Sequence, residues 1–179
     1  MAAEPLLYTI GHSAHPAERF LMLLLQHGIK TLVDVRTLPY SHYHPQFRRA
    51  SLEDLIPAIG IHYVYLGKEL GGRPTGAHLM TADGRPDYRR MALLPAFKDA
   101  LEQVLTLATA APIPHLMCSE QDPLKCHRCN LIAHEVRDRG VRVLHIRKYG
   151  GAEEERWDQP QQLPLLADQP VTVRGNRAR

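Results

Sequence analysis

The sequence predicts an α/β fold: a single three-layer, Rossmann-like domain with a mostly parallel sheet of about five strands and an extended C-terminal tail. Two observations lead to this prediction. Short apolar runs of strand length alternate along the chain with longer segments whose apolar residues recur at helical spacing. The composition, 44% hydrophobic and 23% charged, is that of a globular protein, and 179 residues suit one domain with a short appendage.

Five short apolar segments have the length and composition of buried strands. Turn residues such as Gly11 and Gly60 lie at their boundaries. The predicted strands cover residues 6–10, 31–35, 61–66, 113–118 and 142–146. Because helical segments separate the strands, we expect them to pair mostly in parallel.

Four segments combine helical spacing of apolar residues with start or stop signals. Pro16 suits the first turn of the first helix, and Gly28 ends it. Ser51, followed three residues later by Asp54, resembles a capping box and predicts that the second helix begins there. The predicted helices cover residues 16–27, 51–59, 94–108 and 126–139.

Two irregular segments are too long for plain connections. Residues 36–50 combine prolines with cationic and aromatic side chains, and residues 67–90 contain Gly71-Gly72 and further turn residues. Loops of this length usually form lids or binding loops. Beyond the domain at 1–149, the composition becomes acidic, Gln-rich and finally basic, so we expect a weakly ordered tail without chemistry at 150–179.

The densest group of reactive side chains lies around the end of the fourth predicted strand. Cys118 closes that strand, a polar loop carries Glu120, and Cys126, His127 and Arg128 open the next predicted helix. In open α/β sheets, ligands bind beyond the carboxyl ends of strands, where helix N-termini attract anions. The first two strands also end in polar residues. These are His12, Ser13, Asp34 and Arg36.

The thiols have more than one interpretation. Cys118 could be a nucleophile or a buried structural residue, and Cys126 could be a nucleophile or its resolving partner, because a helix start lowers thiol pKa. Cys129 lies on an apolar helix face and is expected in the core. Cys118, Cys126 and His127 could instead bind a metal, but structural zinc sites need four ligands. The leading hypothesis therefore includes no metal, and the cofactor stays open.

Arg36 and Arg128 suit an anionic ligand, because guanidinium and helix N-terminal N–H groups can converge on phosphate oxygens. Arg36 could also pair with Asp34 as a structural strut. His12 could act as an acid or base or hold a phosphate, and it could equally be a solvent-facing turn residue.

Residues 36–49 mix cations with Tyr40, Tyr43 and Phe47. That combination can hold a phosphate backbone while stacking on bases. The alternative is a solvated basic loop that Tyr40 and Phe47 pin to the domain. A formal net charge of +3 is too small to decide between them.

Four ordered motifs resemble a known family. They are Thr9-Ile10-Gly11-His12-Ser13, Val33-Asp34-Val35-Arg36 with Pro39 and Ser41, Gly60-Ile61-x-Tyr63 leading to Leu70-Gly71-Gly72, and Cys118-x-Glu120-x-x-Pro123-x-x-Cys126-His127-Arg128. Over residues 6–146 the chain resembles the bacterial and archaeal family called domain of unknown function 488. The resemblance implies a compact α/β fold and brings no settled activity.

The resemblance also marks a shared polar set, from which Cys129 is absent. The set comprises His12, Ser13, Asp34, Arg36, Ser41, Cys118, Glu120, Cys126, His127 and Arg128. Where many relatives are expected to carry arginine or lysine after Ser41, this chain has His42. Any phosphate contact there is expected to be weaker and sensitive to pH.

The leading hypothesis is an enzyme, a cysteine-dependent hydrolase or transferase acting on a phosphate-bearing or nucleotide-like substrate. Cys118 is the candidate nucleophile, with Cys126 second, and protons would be moved by Glu120, His127 or His12. The expected anion and substrate contacts are Arg36, Arg128, Ser13, Asp34, Ser41, Gly71 and Gly72. The competing hypotheses are a nucleic-acid-binding module without catalysis and a metal-binding protein that uses Cys118, Cys126 and His127.

Three cysteines, an odd number without a recognisable secretory signal, predict reduced thiols in a cytoplasmic protein. No apolar run approaches the ~18 residues that a membrane helix needs. We therefore expect no membrane partner, and the oligomeric state stays open.

Overall fold

The computed structural model describes residues 5–109 and 114–154 of the chain. Its strands are β1 (Leu6–Gly11), β2 (Thr31–Asp34), β3 (His62–Tyr65), β4 (Pro114–Cys118), β5 (Arg142–Ile146) and β6 (Ala152–Glu154). They form one six-stranded sheet in the order β3-β2-β4-β1-β5-β6. The first five strands pair in parallel, so the predicted α/β fold with a mostly parallel sheet is confirmed, and β6 adds an unpredicted sixth strand that pairs antiparallel with β5.

Helices connect the strands and cover their apolar side chains. They are α1 (Ala17–Gln26), α2 (Arg49–Ala58), α3 (Gly67–Leu70), α4 (Tyr88–Ala92), α5 (Pro95–Thr109) and α6 (His134–Arg137), the last preceded by a π-helical segment, Arg128–Ala133. Three short 3₁₀ turns, Pro45–Phe47, Ala77–Leu79 and Pro123–Lys125, lie in the loops. None of the helices within the described ranges is both long enough and apolar enough to cross a bilayer.

The buried apolar residues form two clusters. Leu32 of β2 belongs to the cluster built with α1 and α2, whereas the next residue, Val33, belongs to the cluster built with α5. In β4, Met117 belongs to the cluster built with α1 and α2, and the neighbouring Leu116 belongs to the cluster built with α5. This division follows from strand geometry, because successive side chains point in opposite directions.

The structure corrects several predicted boundaries. Helix α2 begins at Arg49, so Ser51 lies inside the helix and does not cap it; its hydroxyl donates to the carbonyl of Pro45 (2.9 Å). Cys126 has an extended backbone, and the helical segment begins only at Arg128. Residues 67–90, expected to be irregular, contain α3, the second 3₁₀ turn and the start of α4.

Strand β6 lies inside the predicted tail. Its three residues pair with β5 at the edge of the sheet, where the β5 backbone would otherwise lack hydrogen-bond partners on that side. The rest of the predicted tail, residues 155–179, lies outside the described residues.

Candidate functional site

The loops that follow β1, β2 and β4 meet at one edge of the sheet. Gly11 at the end of β1 is in register with Cys118 of β4, and Asp34 at the end of β2 with Met117. Beyond the strands, the backbone N–H of His12 donates to the Cys118 carbonyl (2.9 Å) and that of Ser13 to the Ser119 carbonyl (3.0 Å). The expectation that distant polar residues converge at the carboxyl ends of the strands is thus met by the backbone geometry.

One buried polar group, the carboxylate cluster, joins Asp34, Arg36, His12 and Tyr63. The Arg36 guanidinium donates through Nε and Nη2 to the two carboxylate oxygens of Asp34 (2.9 and 2.6 Å). Its Nη1 donates to the Phe47 carbonyl (2.7 Å) and lies 3.1 Å from His12 Nε2. Four of the five guanidinium N–H groups are therefore committed within the protein. Tyr63 completes the group by donating its hydroxyl to Asp34 (2.7 Å).

The electrostatics of this cluster favour a permanent ion pair. Burial alone would lower the pKa of Arg36, but the hydrogen bonds and negative charge of Asp34 outweigh it and raise that pKa. Burial, followed by the charge of Asp34, raises the pKa of Tyr63, so its hydroxyl stays protonated. Asp34 and Arg36 thus form the strut that was one of the two sequence interpretations.

His12 is held by its neighbours as a neutral ring. Its Nδ1 is 2.9 Å from the Ser13 carbonyl, to which it donates, and its Nε2 therefore accepts from Arg36. The ring stacks on Phe47 with centroids 4.3 Å apart. Burial and the nearby charge of Arg36 lower the pKa of His12 to about 4. His12 therefore remains neutral near pH 7.

A second buried group, the sulfur cluster, consists of Cys118, Cys126 and His127. Their ligand atoms, two Sγ and one Nδ1, lie within 4.8 Å of one another. His127 Nδ1 is 3.9 Å from Cys118 Sγ and 3.7 Å from Cys126 Sγ, while its Nε2 donates to the Val35 carbonyl (2.9 Å). In a neutral imidazole with Nε2 protonated, Nδ1 carries a lone pair. That lone pair faces both sulfur atoms.

The two thiols of the sulfur cluster are electrostatically coupled. A hydrogen bond from the Cys126 thiol, together with His127, lowers the pKa of Cys118. The same hydrogen bond and burial raise the pKa of Cys126. The pair therefore gives up one proton easily and holds the second firmly.

Arg128 is the cation of the sulfur cluster, and it is only 1% exposed. Its Nε donates to Cys126 Sγ (3.3 Å), and its terminal nitrogens donate to Thr9 Oγ1 (3.3 Å) and to the Glu120 carbonyl (2.6 Å). In the described part of the chain, no carboxylate lies within ion-pair distance of this guanidinium. The negative charge that compensates it is therefore expected on sulfur.

A cleft of about 400 Å³ opens beside the carboxylate cluster, whose His12 and Arg36 line it, whereas Cys118, Cys126 and His127 are not in its wall. Its wall contains His12, Ser13, Arg36, Tyr40, Ser41, His44, Ser119, Glu120 and Gln121. Ser119 connects the cleft to the sulfur cluster, because its hydroxyl lies 4.0 Å from Cys118 Sγ. Ser13 has a positive φ of 44°, which is rare for a residue with a side chain and marks a strained position in the wall.

The remaining predicted site residues make mostly internal contacts. Gly71 packs against Thr37 and Gly67, and Gly72 lies so close to His127 that an added Cβ would be 2.6 Å from the ring. Both glycines are buried, and Gly72 packs against the His127 imidazole of the sulfur cluster. Their suggested role over a substrate stays a prediction.

Sequence reasoning did not assign site roles to Thr9, Tyr63 and Tyr88, which the fold brings in. Thr9 links Arg128 to His145, whose Nδ1 is 2.6 Å from the Thr9 hydroxyl. Tyr88 packs beside the sulfur cluster, and burial, followed by the charges of the two cysteines, raises its pKa. Tyr63 and Phe47 support Asp34, Arg36 and His12. The available signal was the place of Thr9 and Tyr63 in the family-like motifs. Phe47 is buried, which agrees with the alternative that it pins the loop to the domain.

Comparison with known proteins agrees with the sequence motifs. The model of the family described as Domain of unknown function DUF488 matches residues 16–134. The match includes the whole sulfur cluster and stops short of His12 and Ser13. No curated protein and no solved structure shows significant similarity to the chain. Since the matched range covers about two thirds of the 179 residues, the chain belongs to the DUF488 family.

Proposed function

We propose that the protein is a metalloenzyme in which Cys118 Sγ, Cys126 Sγ and His127 Nδ1 hold one transition-metal ion. The supporting observation is that His127 Nδ1 lies at nearly equal distances from the two sulfurs, 3.9 Å from Cys118 Sγ and 3.7 Å from Cys126 Sγ. A tetrahedral ion with Zn–S of about 2.3 Å and Zn–N of about 2.05 Å separates sulfur and nitrogen ligands by about 3.6 Å. The observed separations are within a few tenths of an ångström of that value.

The surroundings support a metal site more than a plain hydrogen bond between sulfur and imidazole. A single hydrogen bond would bring Nδ1 close to one sulfur, whereas both distances here are long for such a bond and nearly equal. The Val35 carbonyl orients the ring in the way that second-shell acceptors orient ligating histidines. Arg128 donates to Cys126 Sγ and thereby stabilises the thiolate that a metal requires.

The donor set favours catalysis over a purely structural role. Two thiolates and one imidazole suit Zn²⁺ or a similar soft ion. Within the described residues the cluster provides three ligand atoms, which is the number in catalytic zinc sites that keep a fourth position for water or substrate. The adjoining cleft is the place for that substrate, and the reaction class is hydrolysis or group transfer.

The second candidate is the metal-free cysteine enzyme, with Cys118 as the nucleophile. The lowered pKa of Cys118 favours this alternative, because the thiolate is the reactive form. The two candidates differ in one respect: a metal holds both sulfurs at once, whereas a nucleophile leaves Cys118 open to alkylation.

Elemental analysis of protein purified without a metal-affinity column tests the proposal. We expect about one equivalent of zinc or a related ion per chain, and Co²⁺ substitution should produce thiolate charge-transfer absorption. Cys118→Ser and Cys126→Ser should each weaken zinc binding by more than about 100-fold, beyond the usual effect of losing an outer-shell partner. Cys129→Ala is the matched control and should retain the ion, since its thiol is not part of the cluster.

A metal-free wild type that takes up no zinc, while Cys118 is rapidly alkylated, would replace this proposal with the second candidate. Equal zinc binding by wild type and both serine variants would contradict the ligand assignment itself.

Two expectations belong to the same proposal. The three-layer, Rossmann-like arrangement is supported by consecutive strand residues that enter separate core clusters. A reducing, cytoplasmic location is supported by three free cysteines, because metal binding requires reduced thiols.

A further inference from the structure

We propose that the cleft beside the sulfur cluster binds an uncharged nucleobase, presented by a nucleoside or by a single strand of nucleic acid. This inference rests on the proposed function, because it names the substrate class of the same site. The cleft has a volume of about 400 Å³, which lies within the usual range for small-molecule sites and is too small for a folded protein.

The charges in the cleft wall argue against phosphate as the group bound inside. Arg36 has already donated four of its five N–H groups, and Asp34 balances its charge. Glu120, also in the wall, would repel an anion. Phosphate recognition normally uses guanidinium donors that are free to form paired hydrogen bonds. The wall therefore lacks a cation available for that purpose among its described residues.

The other polar groups of the wall match the edge of a base. They are the hydroxyls of Ser13, Ser41 and Ser119, the amide of Gln121 and the imidazole of His44. None of these groups carries a permanent charge, and together they offer both hydrogen-bond donors and acceptors. A nucleobase presents donors and acceptors side by side along its edge, so such a wall can bind it without a net charge.

The rim of the cleft carries exposed rings. We define the rim loop as residues 37–48, between Arg36 and helix α2. Tyr40 lines the cleft and is 65% exposed, and Leu38 and Tyr43 on the same loop are 69% and 85% exposed. This loop therefore holds three of the eight large apolar side chains that are exposed in the described residues. Aromatic rings left open in this way are the usual platform for base stacking.

The Tyr40 platform is held in place by the rim loop itself. The Arg48 guanidinium lies 4.6 Å from the centroid of the Tyr40 ring, and its Nε donates to the Ser41 carbonyl (2.9 Å). The Ser41 hydroxyl accepts from the His44 N–H (3.0 Å), and Phe47 anchors the end of the loop in the core. A ring that is already ordered loses little entropy on binding, which favours a preformed site.

The position of the cleft connects this ligand with the sulfur cluster. Ser119 belongs to the cleft wall, and its hydroxyl lies 4.0 Å from Cys118 Sγ. A base that is hydrogen-bonded to Ser119 would therefore be separated from Cys118, the nearest of the proposed metal ligands, by the Ser119 side chain.

Binding measured by calorimetry and ligand-observed NMR tests this inference with adenosine, cytidine, thymidine, ribose 5-phosphate and a short oligo(dT) strand. We expect nucleosides to bind and ribose 5-phosphate, which has a phosphate and no base, not to compete with them. Tyr40→Ala should weaken nucleoside binding by between about 5-fold and about 100-fold, the effect of losing one stacked base. Tyr149→Ala is the matched control, because Tyr149 is also exposed (63%) and does not line the cleft.

The oligo(dT) arm separates the two sources of the base. Affinity for the strand that exceeds that of thymidine and falls with salt would identify single-stranded nucleic acid, whereas equal affinity for both would identify the nucleoside. Competition by ribose 5-phosphate as strong as that by nucleosides would overturn the inference, as would the absence of nucleoside binding or an unchanged affinity in Tyr40→Ala.

The same titrations on wild-type protein of measured metal content separate this inference from the proposed function. None of Cys118, Cys126 and His127 lines the cleft, so nucleoside binding should not require the ion. Nucleoside binding by a protein that never takes up metal would support the cleft inference and contradict the proposed function. Metal uptake without any nucleoside binding would support the proposed function and contradict the cleft inference.

Discussion

The chain buries two arginines at the same edge of its sheet, and their partners differ. Arg36 lies in the carboxylate cluster and meets Asp34 in a two-pronged ion pair. Arg128 lies in the sulfur cluster and meets Cys126 Sγ, a hydroxyl and backbone carbonyls. The first cation has a full carboxylate partner, whereas the second depends on a thiol being ionised.

This difference indicates which group is complete without a ligand. In the carboxylate cluster nearly every donor has an internal acceptor, which is the pattern of a structural element. In the sulfur cluster the imidazole Nδ1 and two sulfurs lie close together, and Nδ1 is 3.9 and 3.7 Å from the sulfurs, too far for a close hydrogen bond to either. From the sequence motifs alone, both clusters were candidate functional sites. Their hydrogen bonds distinguish them, because the carboxylate cluster is satisfied internally and the sulfur cluster is not.

The largest expected effect is on the carboxylate cluster. Asp34→Asn should lower the free energy of unfolding by about 3–5 kcal/mol, because it leaves the buried guanidinium of Arg36 without its counter-charge. Urea denaturation measures the change. Glu53→Ala, which breaks the half-exposed pair with Arg49, is the control and should cost less than about 1 kcal/mol. Zinc content should stay unchanged in folded Asp34→Asn, and its loss would show that the two clusters are not independent.

The second effect is a pH dependence from His12. Its pKa is about 4 in the folded protein and 6.5 in the reference state, so between these values the unfolded chain binds the proton more readily. Stability should therefore fall as pH drops from 6.5 to 4, by at most about 3 kcal/mol from this residue. Urea curves of wild type and His12→Gln at pH 7.5, 6.5, 5.5 and 4.5 isolate the contribution. Parallel stability curves for the two proteins would contradict the prediction.

The third effect concerns the sulfur cluster. Arg128→Lys keeps the charge but loses the planar group that reaches Cys126, Thr9 and Glu120 together. We expect zinc affinity to fall by about 10-fold to 100-fold, as for other outer-shell partners. Competition with a chromophoric chelator measures it, and Arg137→Lys, at a half-exposed position on α6, is the control. Unchanged affinity in Arg128→Lys would remove Arg128 from the site.

The smallest effect tests the packing behind His127. Gly72→Ala places a Cβ 2.6 Å from the His127 ring, so the imidazole must shift. We expect a loss of about 1 kcal/mol in stability together with weaker zinc binding. Gly76→Ala is the matched control, because the nearest neighbours of its Cβ are ring atoms of the exposed His78 side chain, which can move away. Similar zinc affinity for the two variants would show that Gly72 does not position the ligand.

Most of the sheet could be predicted, and the reasons are local. Four of the five parallel strands are mostly buried apolar runs, whereas β3 at the sheet edge is only partly buried, and the predicted ends lie within two residues of those in the structure. Strand β6 was missed because Ala-Glu-Glu has no apolar alternation, and only pairing with β5 makes it a strand. Cys126 was placed at a helix start from the residues that follow it, but the helical segment begins two residues later.

By itself the sequence determined where polar residues occur along the chain: at the ends of apolar strands, and therefore at one edge of a parallel sheet. Only the tertiary structure decided their partners, because hydrogen bonds such as that from His127 to the Val35 carbonyl join residues far apart in the chain. Local periodicity specifies burial and direction, and it contains no information about distances of 3 to 4 Å between side chains on different strands and helices. Those distances distinguish Arg36 as a strut from the sulfur cluster as a candidate metal site.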